Sequence, residues 1–321
     1  MESKGLKRPR WWCRLPALRR AGVVNGAQAP AHPAAPAAFA RRPAVWPAAR
    51  QAGRAAGRAA STRAPEAPPT LTVHLLGELQ VVFGDRSVEK WVSGRGRAVF
   101  EYLVFHRHSR VRRERLMNVF WPDATPGAAR NSLNVAIHGL RQSLRAAAGD
   151  RAVVVHSDST YFIEPALEIW LDVEVFEERL KSARQHLTAE DWPAARADLE
   201  AAMGLYQGEF LADDPYEEWA HVTREHLRLA YLDCLEQLGG LRFGAGDYHG
   251  CVDVCLKLLA CDNCREDAQR RLMRCYSRVG QPQLALRQYH FCVATLRHEL
   301  QLPPAAATTE LAARIRRREE V

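Results

Sequence analysis

Apolar and polar positions change their period several times along this chain, and each change predicts an element. From Leu71 the run LTVHLLGELQVVFG is dense in Leu, Val and Phe, which predicts two short strands broken at Gly77. In RAVFEYLVFHRH, Val99, Phe100, Leu103 and Val104 fall at helical spacing. A second helix over about 112–121 carries Leu116, Val119 and Phe120. It must end before Trp121-Pro122, because a residue preceding proline is pushed out of the α region. Thr125 is placed to cap a third helix, with Pro126 at its first position, that runs to about Arg145. AVVVHSDSTYFIE predicts a hairpin turning at Ser157-Asp158-Ser159. The order strands, helix, helix, helix, hairpin is the plan of a winged helix-turn-helix.

From about residue 172 the period is helical throughout, and the pattern repeats. Glu190-Asp191-Trp192, Gly246-Asp247-Tyr248 and Gly280-Gln281-Pro282 align, the last two at the 34-residue tetratricopeptide period. Small residues, Ala195, Cys251 and Ala285, stand at the same offset in each, as two close-packed helices require. The first repeat carries an insertion, YQGEFLADDPYEEW, whose Asp213, Asp214, Glu217 and Glu218 are expected to form a solvated acidic loop. The fold class is mainly α with a small β component: a winged helix-turn-helix followed by an α-helical tetratricopeptide-like solenoid. The expected domains are an Ala/Pro/Arg-rich disordered arm over 1–69, a DNA-binding domain over 70–165, and helical repeats over 166–321.

Charge follows this division. The formal net charge of +8 resolves into +11 over residues 1–69, +4 over 70–165 and −7 over 166–321. Most of the positive charge thus sits in a segment with no sustained period and frequent proline. That segment fits a basic arm or an over-extended translation start. Its Arg- and Ala-rich, acid-poor composition also resembles a transit peptide, although no amphipathic stripe supports this. A mildly basic module before an acidic one suits a protein whose middle meets a polyanion. No run approaches the ~18–20 apolar residues of a membrane span. A cytoplasmic, nucleoid-associated bacterial protein without membrane partners is expected.

The third helix carries the candidate chemistry. Ala129, Leu133, Ile137, Leu140 and Leu144 form its apolar face. Arg130, Asn131, Asn134, His138, Arg141, Gln142 and Arg145 fall on the other side, with no acidic residue among them. Arg, Asn and Gln form bidentate hydrogen bonds to guanine and adenine edges in the major groove. An ordinary solvated helix face also carries such residues, but it usually mixes charge signs. Phosphate contacts are expected from Arg95, Arg97, Arg112, Arg113, Arg141 and Arg145. Arg107, Arg110 and Arg115 are nearby. The hairpin tip is poor in cations, which counts against its insertion into the minor groove.

Other chemistries fit less well. Cys261-Asp262-Asn263-Cys264 with Cys251 and Cys255 admits a four-thiolate zinc site. However, Cys251, Cys255 and Cys292 occupy repeat positions normally filled by small apolar residues, where a free cysteine packs as one. No nucleophile triad, H-E-x-x-H pattern or paired-carboxylate arrangement stands out, and there is no GxxxxGK[ST] loop. No cofactor, metal or catalytic residue is expected. A helical-repeat scaffold that binds only protein is the rival to a DNA-binding regulator.

The run FEYLVFHRHSRVRRERLMNVFWPDATPGAARNSLNVAIHGLRQSL resembles the OmpR-type winged helix of the SARP transcriptional activators (Streptomyces antibiotic regulatory proteins). Its specific part is Trp-Pro-Asp followed by Ala-Arg-Asn-Ser-Leu and Leu-Arg. REDAQRRLMRCYSRVGQPQLALRQYHFCVATLRHELQLPP resembles the bacterial transcriptional activator domain that accompanies it, and the likeness covers roughly 70–317. The resemblance implies binding to promoter direct repeats as a homodimer on double-stranded DNA, with recruitment of RNA polymerase. It makes Arg130, Asn131, Asn134 and His138 the base readers. It places Asp123, Ala124, Thr125, Pro126 and Gly127 in the loop that faces polymerase. Thr160-Tyr161 stands where relatives have Gly-Tyr at the end of the hairpin, and the second helix has Arg112 where a Ser cap is usual.

Overall fold

The computed structural model describes residues 71–321, so the expected arm over 1–69 lies outside the described residues. The chain opens with strands β1 (Leu71–His74), β2 (Gln80–Phe83) and β3 (Arg86–Ser87), followed by helix α1 (Gly94–Phe105). A two-residue strand β4 (Val111–Arg112) leads into α2 (Arg113–Phe120) and α3 (Pro126–Ala148). Strands β5 (Val154–Ser157) and β6 (Thr160–Ile163) form the wing, and β4 adds to the β6 edge. Asp158 and Ser159 at the turn are left-handed, with φ of 50° and 59°, as a two-residue hairpin of matching twist requires.

Each boundary has a local cause. Thr125 accepts a hydrogen bond from the Ala128 N–H, and Pro126 takes the first helical position, so α3 starts where expected. It continues to Ala148, a turn beyond the expected end, and stops at Gly149. Arg112 caps α2 without any side-chain hydrogen bond. α1 lies against α3 so closely that a Cβ on Gly96 would sit 2.8 Å from the Ala136 carbonyl oxygen. The Ser143 hydroxyl accepts from the Val92 N–H at 2.9 Å and ties the approach to α1 down on α3.

Strand β7 (Ile169–Leu171) joins the first sheet, giving the order β3-β2-β1-β7. It pairs with β1 in parallel, Leu71 opposite Ile169 and Val73 opposite Leu171, while the other pairs are antiparallel. Helix α4 (Asp172–Thr188) follows directly. Its first residue, Asp172, is fully buried and accepts hydrogen bonds from the Leu75, Leu76 and Val173 N–H groups at 2.8–2.9 Å. Burial raises the pKa of this carboxyl, and the backbone donors oppose the rise. The start of the repeat region is thus bonded into the first sheet.

The repeat region continues with α5 (Trp192–Leu205), α6 (His221–Gly244), α7 (Tyr248–Cys261), α8 (Glu266–Arg278), α9 (Pro282–Glu299) and α10 (Ala306–Arg316). The three-residue signature has one meaning in each repeat. Glu190, Gly246 and Gly280 are left-handed at φ of 58°, 76° and 75° and end one helix. Asp191 and Asp247 cap the next through their carboxylates, and Gln281 holds the same position without a side-chain hydrogen bond. Ala195, Cys251 and Ala285, one turn in, are completely buried where neighbouring helices meet. Cys255 and Cys292 are buried as well, packing as small apolar side chains. One continuous core runs from Leu71 to Cys275, and α10 closes a smaller cluster of Met273, Ala285, Leu311, Ala312 and Ile315.

The insertion in the first repeat is solvated only in part: Tyr216 and Glu218 are exposed, but its stem is packed. Phe210 and Leu211 are buried, and the segment hydrogen-bonds to the bend after β1. Gly77 N–H donates to the Glu209 carbonyl, Leu211 N–H to that of Leu75, and Ala212 N–H to that of Gly77. Gly77, at φ 123°, lies where a Cβ on Gly208 would meet its Cα at 3.1 Å, so both glycines permit the approach. Trp219, the last residue of the insertion, packs against Tyr102, Phe105 and Phe210. The insertion is a clasp between the winged helix and the repeats.

Candidate nucleic-acid interface

Helix α3 presents two faces of opposite character. Ala129, Leu133, Ile137, Leu140 and Leu144 are buried, on a helix that packs against α1, α2 and strands β2 and β3. Arg130, Asn131, Asn134, His138, Arg141, Gln142 and Arg145 are all exposed, and the helix contains no acidic residue. Val135 belongs with them: it is 69% exposed and lies between Asn131 and His138 on the same flank. Such an apolar side chain can contact the methyl of thymine. The sequence signal for it was its position one residue beyond Asn134, off the apolar stripe.

Arg130, Asn131, Asn134 and His138 make no side-chain contact to an acid among the described residues, so their donors are available. Arg141 is exposed but also braces the wing, donating to the Val154 carbonyl at 3.1 Å. Arg145 lies 3.6 Å from Asp150, and both are exposed, which makes a weak pair.

The basic surface beside α3 comes from the strand that flanks the wing. The wing turn itself holds Asp158, to which the Ser157 hydroxyl donates at 3.1 Å. Arg112 in β4 is exposed and opposite Thr160. The Arg113 backbone N–H donates to the Ser159 carbonyl, which pins the start of α2 to the wing. Arg110 lies over the Phe162 ring, 4.5 Å from its centre. By contrast Arg115 donates to the Tyr102 hydroxyl, and Arg107 pairs with Glu174 of α4.

Arg95 and Arg97 are corrected by the structure. Neither is free for phosphate, because the clasp holds both. Arg95 pairs with Glu217 at 2.8 Å. Arg97 pairs with Asp214 at 2.8 Å and lies 3.8 Å from Asp213 and 3.7 Å from Glu101. Glu101 is completely buried, with neither oxygen hydrogen-bonded. Burial first, and the nearby Asp214 second, push its carboxyl up to about 8 against the pull of Arg97.

The segment that the resemblance assigns to polymerase, Asp123 to Gly127, overlaps the start of α3. Asp123, Ala124 and Thr125 form the turn before the helix, whereas Pro126 and Gly127 belong to its first turn. Ala124 N–H donates to the Trp121 carbonyl, and Asp123 projects an exposed carboxylate.

The winged helix and the stack of helical repeats thus merge through the first sheet and the clasp. Residues 171–316, a little under half of the chain, match the family model of the bacterial transcriptional activator domain. The winged helix precedes the matched region, which is the order of parts that the resemblance to the SARP activators implies. The solved structure of Mycobacterium tuberculosis EmbR in complex with a low-affinity phosphopeptide is similar, with a TM-score of 0.62 and 22% identity. The match covers 79% of this chain and 66% of that one, so this chain spans about two thirds of its length. No curated protein matches the chain. Among the described residues no helix is long and apolar enough to cross a membrane.

Proposed function

We propose that this chain binds promoter DNA sequence-specifically through α3 and activates transcription by contacting RNA polymerase. One observation carries the reading: apart from the apolar Val135, every exposed position of α3 from Arg130 to Arg145 is cationic, amide or imidazole, with no carboxylate. Arg130, Asn131, Asn134 and His138 read base edges, and Val135 adds an apolar contact. Arg112, Arg113, Arg141 and Arg145 meet phosphate and set the register. The wing contributes through its flanking strand rather than its tip. Asp123, Ala124 and Thr125, with the first turn of α3, form the surface offered to polymerase. Residues 70–165 then act as the reader and 166–321 as the partner-contacting region. Two protomers on direct repeats would be spaced by whole turns of about 10–10.5 base pairs.

A gel-shift assay with genomic promoter fragments at two salt concentrations tests this. Retention of specific fragments that weakens as salt rises is expected. An absence of binding to any duplex at low salt would leave only the helical-repeat scaffold. Within the DNA-binding reading, Asn134→Ala should relax selectivity at one base position without changing the thermal midpoint.

A further inference from the structure

Arginine crowds the outward face of α8. Arg270, Arg274 and Arg278 stand four residues apart, so they form one stripe, and Arg271 lies beside it. Like charges at this spacing repel each other and oppose the helix. Most of these side chains are answered locally. Arg270 pairs with Asp267 and donates to the Thr308 hydroxyl at 2.9 Å, and Arg271 donates to the Glu236 carbonyl at 3.1 Å. Arg274 is the exception. Half-buried, it has no hydrogen bond or ion pair to any described residue. Burial and the charges of Arg270, Arg271 and Arg314 of α10 hold its guanidinium below the usual arginine range.

What lies next to the stripe is acidic. Beyond α10, Arg278 donates to the Val321 carbonyl at 2.6 Å and pairs with Glu320 at 2.7 Å. Arg314 pairs with Glu319 at 3.4 Å and donates to the Glu320 carbonyl. A short segment with two adjacent carboxylates already uses the two ends of this surface and leaves Arg274 unanswered.

We propose that Arg271, Arg274 and Arg278 of α8, with Arg314 of α10, form a docking site for an acidic peptide segment of a partner protein, which displaces Glu319–Val321. The planar guanidinium takes a carboxylate in two parallel hydrogen bonds, and an uncompensated one gains most from it. Four residues of helix advance about 6 Å. Alternate side chains of an extended segment are about 6.5 Å apart. A segment with Glu or Asp at alternate positions therefore matches the step from Arg274 to Arg278. A duplex is longer than the stripe and would also have to pass Glu266 and Asp267 beside Arg270, whereas a short peptide can end at Arg274.

Fluorescence anisotropy on the full chain tests the site with a labelled peptide of alternating Glu and Ala. Its Gln counterpart and an unrelated DNA duplex serve as competitors. Binding of the Glu peptide alone is expected, tightening several-fold in the Glu319→Gln/Glu320→Gln chain and falling on the order of tenfold with Arg274→Gln. Arg274→Gln should also keep or raise the thermal midpoint, since it relieves repulsion. A structural role for Arg274 would lower it. The proposal is overturned if the Gln peptide or the duplex competes equally well. Unchanged binding in Arg274→Gln, or no gain from the Glu319/Glu320 pair, overturns it too.

Discussion

The exposed face of α3 and the first turn of α1 carry the same kind of cation and treat it in opposite ways. On α3, Arg130 stands among amides with no acid in the helix. On α1, Arg95 and Arg97 meet Glu217, Asp213 and Asp214 from an insertion more than a hundred residues later. A guanidinium already held by carboxylates has little charge left to release counterions from DNA. What separates an available arginine from a structural one is therefore its neighbours in the fold, not its local sequence. The acid that makes the repeat region negative is partly spent on fastening the reader to it.

That fastening should be breakable, with the largest effect at its buried end. Asp172→Ala removes the acceptor for three backbone N–H groups inside the core. Leaving buried donors without partners should cost roughly 3–5 kcal/mol of unfolding free energy. Denaturant titration of the full chain would show this as a lower midpoint. An unchanged midpoint would mean that the junction of β7 and α4 does not support the first sheet.

Glu101 offers a sharper test of the clasp, because its effect depends on pH. Its folded pKa, about 8, lies above the ordinary 4.5, so the folded state holds a proton that the unfolded state has lost between those values. Stability from this group is therefore complete below about pH 4.5 and is lost as pH rises through 8. Glu101→Gln cannot lose that proton. The variant should match the native chain near pH 5 and exceed it by ~2–4 kcal/mol near pH 9. Thermal melts across that range check the sign. Parallel profiles for the two proteins would show that Glu101 is ionised within the fold.

How much of this was legible depends on how local each signal is. The helical stripe of α3, its Thr125-Pro126 start and the hairpin turn at Asp158-Ser159 lie within a few residues of what causes them, and they stand where the periodicity predicts. The repeat signature carried the same kind of local meaning: a left-handed residue, a cap and a small buried residue one turn later. β7 could not be seen, since nothing in Ile169–Leu171 marks it as a parallel partner for Leu71–Val73. The clasp was misleading for the same reason. Asp213, Asp214 and Glu217 look solvated until Arg95, Arg97 and Leu79 are brought to them. The exposed polar face of α3 was visible except for Val135, whose one mark was its position outside the apolar stripe.

The two arginine environments can also be compared through DNA itself. Arg130→Ala should weaken binding to the preferred site by about 1–3 kcal/mol while sparing non-specific binding, as loss of a base contact does. The ratio of specific to competitor-duplex affinity measures it, and an equal loss on both would make Arg130 a phosphate contact instead.

The smallest expected effect is the most direct test of the difference between α1 and α3. Arg145→Ala removes an exposed cation whose partner, Asp150, is itself exposed at 3.6 Å. It should lower the slope of log affinity against log salt by about one phosphate contact. Arg95→Ala removes a cation of equal formal charge that pairs with Glu217, and it should leave both slope and affinity unchanged. Its consequence falls on the clasp, as a loss of under about 1 kcal/mol, since the pair is partly exposed. If instead Arg95→Ala shifts the salt slope as much as Arg145→Ala does, the clasp opens when DNA binds and releases Arg95 to phosphate.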